Sequence, residues 1–564
     1  MTVRLVRDVI TQMARVPRLA GLFALFGLLA ADTPSLLPRP WFFQGLIGGI
    51  SALIFYAIGV LVAALWRVVA RWSGLEVSVR PRARRVLFLL WVTLVVVGNL
   101  TYPLVNLSWH RKVTSYVGQP TPGPFYPVLS VLTAIAVLGV FVLIFRLVAG
   151  LAHWLTPRIR RRGLRQATAR TIAAVVTFLI VGGVIDQVIV RGLLAAAQQQ
   201  ADTVNARKPS GLTAPASGLR SGGPGSLVPW ATIGSDGTTF VSLGPSAAQI
   251  TATTGEAAKE PIRIFAPVDA GRSLEQTRDL ALAEIDRTGA LDRKAILVVT
   301  STSTGFVNEW ASESFEYLLR GDTAIITMQY STLPSALGLL LARDQPPAVS
   351  KLLLDAVSAR VKARPADKRP KLYVGGESLG AYGSNGAFSS EADLLGKVDG
   401  AVWTGTPSFT PLHEQLTAAR AFGSTVTDPV VENGRHVRFA ATPRQLTATM
   451  FGQQLGSWEA PRIAYLQHDT DPVVWWSTDL VLHTPTWLSE TRPPDSPMSG
   501  MSWLPVVTFC QVTSDLAMAN SVPGGYGHRY FESETVPAWA GVLGMDPDGD
   551  YSRIQAAIRF ANEG

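Results

Sequence analysis

The sequence is poor in cysteine and in charged residues, and each shortage excludes a class of protein. Its 564 residues contain one cysteine, Cys510, so the chain forms no internal disulfide and lacks the thiolates of a cysteine-based metal site. Charged residues make up 16% of the chain, against about 25% in an average soluble domain, while 48% of the residues are hydrophobic. This composition excludes a disordered chain and argues against a purely soluble one.

Acidic residues are scarce in one part of the chain only. Residues 1–196 contain 21 Lys and Arg but 4 Asp and Glu, a net charge of +17, whereas residues 197–564 contain 29 and 37, a net charge of −8. The basic excess is confined to the apolar N-terminal third, where arginines lie at the ends of apolar segments. This placement favours a membrane domain over a nucleic-acid-binding one, and we expect no nucleic-acid partner.

Five apolar segments in this third are long enough to cross a membrane, which takes about 20 mostly apolar residues. They cover approximately residues 17–37, 43–66, 86–107, 125–149 and 171–195. Asp32 and Pro34 interrupt the first segment. Asp186 lies inside the fifth, as a functional carboxylate, as an ordinary interhelical hydrogen-bond partner, or at a position near the outer interface. The sequence therefore predicts a five-span helical transmembrane domain over residues 1–196, embedded in a lipid bilayer.

The distribution of arginines predicts the orientation of this domain. They occur before the first span and in the loops after the second and fourth, at Arg4, Arg7, Arg15, Arg18, Arg67, Arg71, Arg80, Arg82, Arg84, Arg85, Arg158, Arg160, Arg161, Arg162, Arg165 and Arg170. The alternate loops carry only Arg39, Arg111 and Lys112. Because basic loops stay in the cytoplasm, we expect a cytoplasmic N-terminus. Five crossings of the cell membrane would then place everything after Ala195 outside.

The composition changes again after the last apolar segment. Residues 197–235 are rich in Gln, Ser, Gly, Pro and Ala, which predicts a flexible linker. Residues 236–564 are enough for one large α/β domain, in which short apolar strands alternate with helical patterns. This pattern predicts a mostly parallel α/β sheet flanked by helices. The predicted strands are 261–267, 295–301, 323–330, 371–375, 400–404, 437–440 and 462–467.

One motif in this domain is typical of a catalytic nucleophile. Gly376-Glu377-Ser378-Leu379-Gly380 fits G-x-S-x-G, in which a serine occupies a sharp turn between a strand and a helix. Leu372-Tyr373-Val374 forms a strand pattern before it, and a helical pattern follows. This context favours Ser378 as the nucleophile over a surface turn that matches by chance.

A serine hydroxyl needs an adjacent base, and in this arrangement the acid and the histidine follow the serine in that order. His468-Asp469-Thr470-Asp471-Pro472 follows a predicted strand, so Asp471 is the preferred acid and Asp469 the competing one. Only His483 and His528 come later in the chain. We expect His528, in a glycine-rich turn, to be the base, since His483 lies in a helical pattern.

The oxyanion formed in such a reaction needs two N–H donors. The backbone N–H of Leu379, next to the nucleophile, is the first candidate. The second should come from the loop after an earlier strand, where Thr302 or Ser303 follows the strand ending at 301. No cofactor or metal ion is needed for this chemistry.

These motifs resemble a known family. With Glu260-Pro261-Ile262-Arg263, Met328-Gln329-Tyr330-Ser331, Asp471-Pro472-Val473 and Gly527-His528-Arg529-Tyr530, the chain is similar to the multi-pass membrane α/β-hydrolases found mainly in high-GC Gram-positive bacteria. The resemblance implies an N-terminal membrane domain, a C-terminal catalytic domain of the hydrolase fold and a triad, but no substrate. The family has Thr-Gly-Thr-Gly-Trp at the oxyanion loop, and here Thr302-Ser303-Thr304-Gly305-Phe306 stands there.

The sequence thus predicts a membrane-anchored, outward-facing serine hydrolase. Its substrate would be an acyl ester, of a lipid or another envelope component. The same triad also suits an acyltransferase that acylates an envelope lipid or glycan. A non-catalytic membrane scaffold or binding protein is the alternative from a different class, and an intact Ser, Asp and His in the expected order argues against it.

Overall fold

The computed structural model describes residues 18–73, 81–161, 163–269, 271–493 and 496–563. The chain forms two compact units. The first unit comprises Met1–Arg191, Thr478–Ser489 and Pro497–Val522. The second comprises Gly192–Ser477, Glu490–Ser496 and Pro523–Gly564. Of the arginines that predict orientation, Arg4, Arg7, Arg15, Arg80 and Arg162 lie outside the described residues.

The described residues form helices and strands with the following bounds. The helices are α1 Arg18–Ala30, α2 Trp41–Trp72, α3 Pro81–Tyr116, α4 Tyr126–Arg160, α5 Gln166–Val184, α6 Gly192–Ala206, α7 Ser235–Ser242, α8 Ala247–Thr254, α9 Leu274–Thr288, α10 Glu309–Leu318, α11 Ser335–Leu341, α12 Gln345–Lys362, α13 Leu379–Asn385, α14 Glu391–Lys397, α15 Pro411–Ala418, α16 Pro472–Trp475, α17 Thr486–Ser489, α18 Val507–Leu516, α19 Glu532–Val542 and α20 Ser552–Glu563. The strands are β1 Ile262–Ala266, β2 Ala295–Thr300, β3 Thr323–Met328, β4 Lys371–Glu377, β5 Gly400–Thr404, β6 Val437–Ala440 and β7 Arg462–Leu466.

Three helical stretches in the described part of the chain are long and apolar enough to cross a membrane. They are Trp41–Trp72, Tyr126–Arg160 and Gln166–Ala206. The other two predicted spans correspond to shorter apolar segments, Leu19–Ala30 and Phe88–Gly98. Helix α1 has 13 residues, about 20 Å at 1.5 Å per residue, and a bilayer core is about 30 Å thick. The structure therefore supports membrane association through three helices rather than clearly through five.

Asp186, the carboxylate predicted inside the fifth span, has a local partner. It lies in a π-helical segment, Ile185–Arg191, between α5 and α6. Its Oδ2 accepts from Nε of Arg191 at 3.0 Å, and both side chains are exposed. The partner of Asp186 thus lies in the same helical segment and not on another helix.

The second unit is built on one seven-stranded sheet. The strand order is β1-β3-β2-β4-β5-β7-β6, and every neighbouring pair is parallel. All seven predicted strands form, and the prediction of a parallel α/β sheet is confirmed. Parallel sheets bury both faces, which is why these strands read as continuous apolar runs.

Helices cover both faces of the sheet. In β2, Ile296 and Val298 pack with buried residues of α9 and α12, while Leu297 and Val299 pack with residues of α10 and α19. Successive side chains of a strand point to opposite faces, so this alternation is the expected one. The two apolar layers fix the sheet, and with it the loops at the carboxyl ends of β2, β4 and β7.

The linker predicted at 197–235 is instead largely folded. Helix α6 continues to Ala206, and the second unit begins at Gly192 rather than at 236. The side chain of Arg220 is buried and donates to the carbonyls of Leu243 and Pro245 at 2.7 and 2.9 Å. The Ser221 amide donates to the carbonyl of Arg263 in β1 at 3.0 Å. Buried hydrogen bonds of this kind attach the segment to the sheet, so it is not a free connector.

Candidate active site

Ser378 occupies a strained turn at the carboxyl end of the central strand. Strand β4 ends at Glu377, and helix α13 begins at Leu379. Between them Ser378 has φ +56° and ψ −122°, in the region that residues with a Cβ rarely adopt. A Cβ on Gly376 would lie 2.6 Å from the backbone of Gly380, so the flanking glycines are needed for the turn to close. Ser378 is half-buried at this turn.

Asp471 and His528 form a hydrogen-bonded pair. Asp471 follows β7 and is the N-cap of α16, where its Oδ1 accepts from the Val473 amide at 2.8 Å. Its Oδ2 lies 2.7 Å from Nδ1 of His528, and both side chains are buried. Because a carboxylate accepts, Nδ1 carries the proton and Nε2 is the basic nitrogen of the neutral ring. No described residue forms a hydrogen bond with that Nε2.

A backbone hydrogen bond connects Ser378 to the strand end that lies next to the Asp471–His528 pair. The Ser378 amide donates to the carbonyl of Thr404 at 3.0 Å, at the end of β5. The next residue, Gly405, has φ +58°, and a Cβ there would overlap the His528 ring and lie 3.0 Å from Oδ2 of Asp471. Only glycine provides both this conformation and this space. Gly405 thus connects the strand end beside Ser378 with the Asp471–His528 pair, while a hydrogen bond between Ser378 and His528 is not found among the described residues.

A tyrosine supports the acid. The hydroxyl of Tyr530 donates to Oδ2 of Asp471 at 2.7 Å and accepts from the His468 amide at 3.1 Å. Tyr530 is buried, two residues after His528. Asp471 thus receives three hydrogen bonds, which fix its orientation toward the imidazole. The sequence analysis does not identify Tyr530, since its role depends on a contact with a residue 59 positions away.

The pair changes the basicity of the imidazole. Burial alone lowers the pKa of His528, but the charge of Asp471 and its hydrogen bond more than offset burial, and Glu377 adds to them. The pKa of His528 is therefore raised above its ordinary value. A raised pKa makes the ring a stronger base, the property that a general base in a hydrolase needs.

Glu377 places a second, partly buried carboxyl near the histidine. Its Oε2 accepts from Nδ2 of Asn308, and from Oγ1 of Thr404 at 3.2 Å. Burial raises the pKa of the Glu377 carboxyl, and the charge of His528 and the two hydrogen bonds only partly oppose this. Sequence reasoning treats this position as the variable residue of the motif, although its side chain is held by two specific partners.

A second histidine–carboxylate pair fastens the loop that carries His528. Nδ1 of His468 lies 2.8 Å from the carbonyl of Gly527, and Nε2 contacts Oε1 of Glu534. Both partners are acceptors, so both ring nitrogens donate and His468 is an imidazolium. Burial lowers the pKa of His468, but Glu534 more than compensates and the pKa is raised. The ring also stacks on Tyr530, with centroids 4.1 Å apart.

Asp469 and His483, the alternatives to Asp471 and His528, have different hydrogen-bond partners. Asp469 accepts from Oγ of Ser496 at 3.2 Å, and no contact between Asp469 and His528 is found among the described residues. His483 is exposed, and its amide donates to the carbonyl of Asp479 at 2.8 Å. The geometry therefore brings together Asp471 and His528, the preferred candidates.

The loop after β2 lies beside the nucleophile turn. A Cβ on Gly380 would overlap the carbonyl of Thr300, the last residue of β2. The amide of Thr302 donates to the carbonyl of Phe306 at 3.0 Å, so this N–H is already used inside the loop. Thr302 is thus a poor candidate for the second oxyanion donor, and Ser303 is the better one. Leu379, at the first position of α13, has an amide with no partner inside its own helix.

Comparisons with known proteins identify both halves of the chain. A model described as an alpha/beta-hydrolase family matches residues 262–554, and one described as the N-terminus of an alpha/beta-hydrolase family matches residues 33–245. No curated protein matches the chain. A solved structure of Trichoderma reesei cutinase in complex with a C11Y4 phosphonate inhibitor is 14% identical, covers 43% of this chain and 84% of its own, and has a TM-score of 0.19. No group of three or more His, Cys, Asp or Glu suited to a metal ion is found among the described residues. The chain belongs to the alpha/beta-hydrolase family.

Proposed function

We propose that this protein is a membrane-anchored serine hydrolase that cleaves acyl esters. The observation that carries the proposal is the buried Asp471–His528 hydrogen bond at 2.7 Å, formed next to a serine with φ +56°. A serine on a strained turn, a histidine and an orienting carboxylate are the parts of a nucleophilic triad. Family membership supports a hydrolase in general, and these residues point to the serine type.

In the proposed reaction, Oγ of Ser378 attacks the acyl carbonyl while Nε2 of His528 takes its proton. Asp471 holds the ring with Nδ1–H toward the carboxylate and stabilises the imidazolium that forms. His528 then protonates the leaving alcohol, and an acyl-enzyme remains on Ser378. Water, deprotonated by the same histidine, attacks the acyl-enzyme; as the acid leaves, His528 returns this proton to Oγ of Ser378 and the free enzyme is restored.

The oxyanion of each tetrahedral intermediate needs two donors. The amide of Leu379 supplies the first in this proposal, and the amide of Ser303 the second. Ser303 is buried, and its Oγ donates to the carbonyl of Leu333 at 2.6 Å, which fixes the loop. A Cβ on Gly338 would lie 3.3 Å from Ser303 and 3.5 Å from Leu379, so both residues border the same point of α11.

The membrane helices suggest the class of substrate. Three long apolar helices would keep the enzyme among lipids, so we propose an acyl ester of a lipid or another envelope component. The arginine distribution supports a cytoplasmic N-terminus and a catalytic domain outside the cell membrane. If an alcohol replaces water in the second step, the same acyl-enzyme becomes that of an acyltransferase.

Turnover of a soluble chromogenic ester by the purified full chain tests the proposal. Ser378→Ala should lower kcat by about 10⁴–10⁶-fold, as removal of a nucleophile does in comparable enzymes. Ser389→Ala changes an exposed serine on the same domain and should leave kcat unaltered. Equal turnover by the wild type and Ser378→Ala would refute the triad. Product analysis with added long-chain alcohols separates hydrolysis from acyl transfer.

A further inference from the structure

The first compact unit contains a cavity of about 460 Å³ whose lining includes none of the catalytic residues. Arg39, His110, Trp41, Phe125, Tyr126 and Leu129 contribute to its wall. A cavity of this size accommodates a small-molecule group, and its wall is mainly aromatic and aliphatic. The two basic side chains are therefore the specific features of the site.

Arg39 is a buried cation whose hydrogen-bond donors are unused. Its side chain is fully buried, and none of its three nitrogens forms a hydrogen bond with a described residue. Asp515 balances its charge, but Oδ1 of Asp515 stands 3.8 Å from Nη1, beyond hydrogen-bond range. The other carboxylate oxygen is held by Oγ of Ser35 and by the Leu36 amide at 3.1 Å. The guanidinium therefore has no hydrogen-bond acceptor among the described residues, and an unsatisfied buried donor strongly favours an acceptor oxygen.

His110 adds a second unpaired donor to the same wall. Both ring nitrogens are buried, and neither forms a hydrogen bond with a described residue. The ring packs edge to face on Tyr126, with centroids 4.7 Å apart, and the Tyr126 hydroxyl donates to the carbonyl of Arg39 at 2.9 Å. These contacts hold His110 and Arg39 in place without using their side-chain donors.

The remaining wall lies at the start of two apolar helices. Trp41 is the first residue of α2, and Phe125 directly precedes α4; both helices are long enough to cross a membrane. The two rings are 41% and 74% exposed, as aromatic residues are at the head-group level of a bilayer. Next to them α4 exposes Val128, Leu132 and Ile135. A ligand here meets buried donors and an apolar helix surface together.

We propose that this cavity binds the anionic head group, a carboxylate or a phosphate, of a membrane amphiphile with a hydrocarbon chain. A guanidinium matches two oxygens of either group with parallel hydrogen bonds. Burial raises the pKa of Asp515 to about 6 despite the nearby Arg39. The site is independent of the reaction proposed for Ser378.

Native mass spectrometry of the full chain in neutral detergent tests this binding. The probes are oleate, phosphatidylglycerol, oleyl alcohol and inorganic phosphate. We expect one saturable site for oleate or phosphatidylglycerol. Oleyl alcohol, which lacks the anionic head group, and inorganic phosphate, which lacks the hydrocarbon chain, should each bind at least about tenfold more weakly. Binding of oleyl alcohol or of phosphate as tight as that of the acidic amphiphiles would overturn the proposal.

The variants separate binding from folding. Arg39→Gln combined with Asp515→Asn removes the guanidinium without leaving an unpaired buried charge, and should weaken acidic-amphiphile binding at least about tenfold. Leu129→Trp fills the cavity and keeps the Arg39–Asp515 pair, with the same expected loss. Arg191→Gln changes an exposed arginine and should bind like the wild type. Wild-type affinity in the double variant and in Leu129→Trp would refute the site.

Discussion

At the scale of single residues, the site depends on the hydrogen bonds that the Asp471 carboxylate accepts. Asp471 accepts hydrogen bonds from His528, Tyr530 and the Val473 amide, at 2.7, 2.7 and 2.8 Å. These three hydrogen bonds restrict the orientation of the carboxylate, and with it that of the imidazole bound to it. The raised pKa of His528 follows from that fixed, buried negative charge.

Replacing either acid separates the two candidates of the 468–472 turn. Asp471→Asn should lower kcat by about 10⁴-fold, because the amide favours the wrong tautomer of His528. Asp469→Asn is the matched change two residues earlier and should leave kcat within about threefold of the wild type, since its partner is Ser496. Steady-state kinetics with a soluble ester measures both. A larger loss in Asp469→Asn would reverse the assignment.

The raised pKa of His528 predicts the pH dependence. The base must be neutral to accept the serine proton, so kcat/KM should rise with pH and level off above the pKa of His528. Since that pKa is raised, the midpoint should lie above the ordinary value of about 6.5. In Asp471→Asn the residual activity should show a lower midpoint, because the charge that raises the pKa is gone. A wild-type midpoint at or below 6.5 would contradict the electrostatics of the pair.

At the scale of elements, three strand ends supply the site. Strand β4 delivers Ser378, β7 delivers Asp471, and the turn after β5 makes room for His528 through Gly405. Parallel strands align their carboxyl ends, so side chains from distant parts of the chain meet at one edge. The His468–Glu534 pair then fastens the return of the chain at Gly527.

Gly405→Ala tests the turn after β5. The added Cβ would overlap the His528 ring, so kcat should fall by at least about 100-fold, since a misplacement of about 1 Å costs that much. Gly255→Ala is the matched control: its φ is +77°, and a Cβ there meets nothing within 4 Å. It carries the same backbone strain and should retain wild-type kcat. Equal activity of the two variants in the ester assay would show that Gly405 is not needed for the site.

Much of the fold can be predicted from the sequence, because it depends on patterns of neighbouring residues. The seven strands are apolar runs between polar turns, and Ser378 lies in a motif whose glycines are required by the backbone. Chain order limits the histidine to His483 or His528, and the turn after the last predicted strand offers Asp469 and Asp471 as the acid. Tyr530, Gly405 and Glu377 are not found this way, because their roles arise from contacts between residues far apart in the chain.

The boundaries of the two units also depend on long-range contacts that the sequence does not reveal. The composition of residues 197–235 resembles a linker, but the Ser221 amide donates to the carbonyl of Arg263 in β1 and so attaches this segment to the sheet. Residues 497–522 appear in the sequence to belong to the catalytic domain, yet they belong to the first unit. There Asp515 accepts from Ser35, 480 positions earlier. No local pattern of hydrophobicity records a contact of that range.

At the scale of the whole molecule, the distribution of charge predicts that the basic loops of residues 1–196 and the domain that follows them lie on opposite sides of a membrane. A Cys510→Ser chain has no thiol, so single cysteines report the location of single residues. Ser389→Cys, on the catalytic unit, should react with a membrane-impermeant maleimide in intact cells. Ser73→Cys, after α2, should react only after permeabilisation; both serines are exposed. The opposite pattern would invert the proposed topology.

The most direct test of the catalytic assignment is labelling of the purified chain with a fluorophosphonate, followed by peptide mapping. We expect one modified residue, Ser378, because only a serine with an adjacent base attacks such a probe at a useful rate. Labelling should be lost in Ser378→Ala, strongly reduced in His528→Ala and unchanged in Ser389→Ala. Equal labelling of the wild type and Ser378→Ala would contradict the proposed triad.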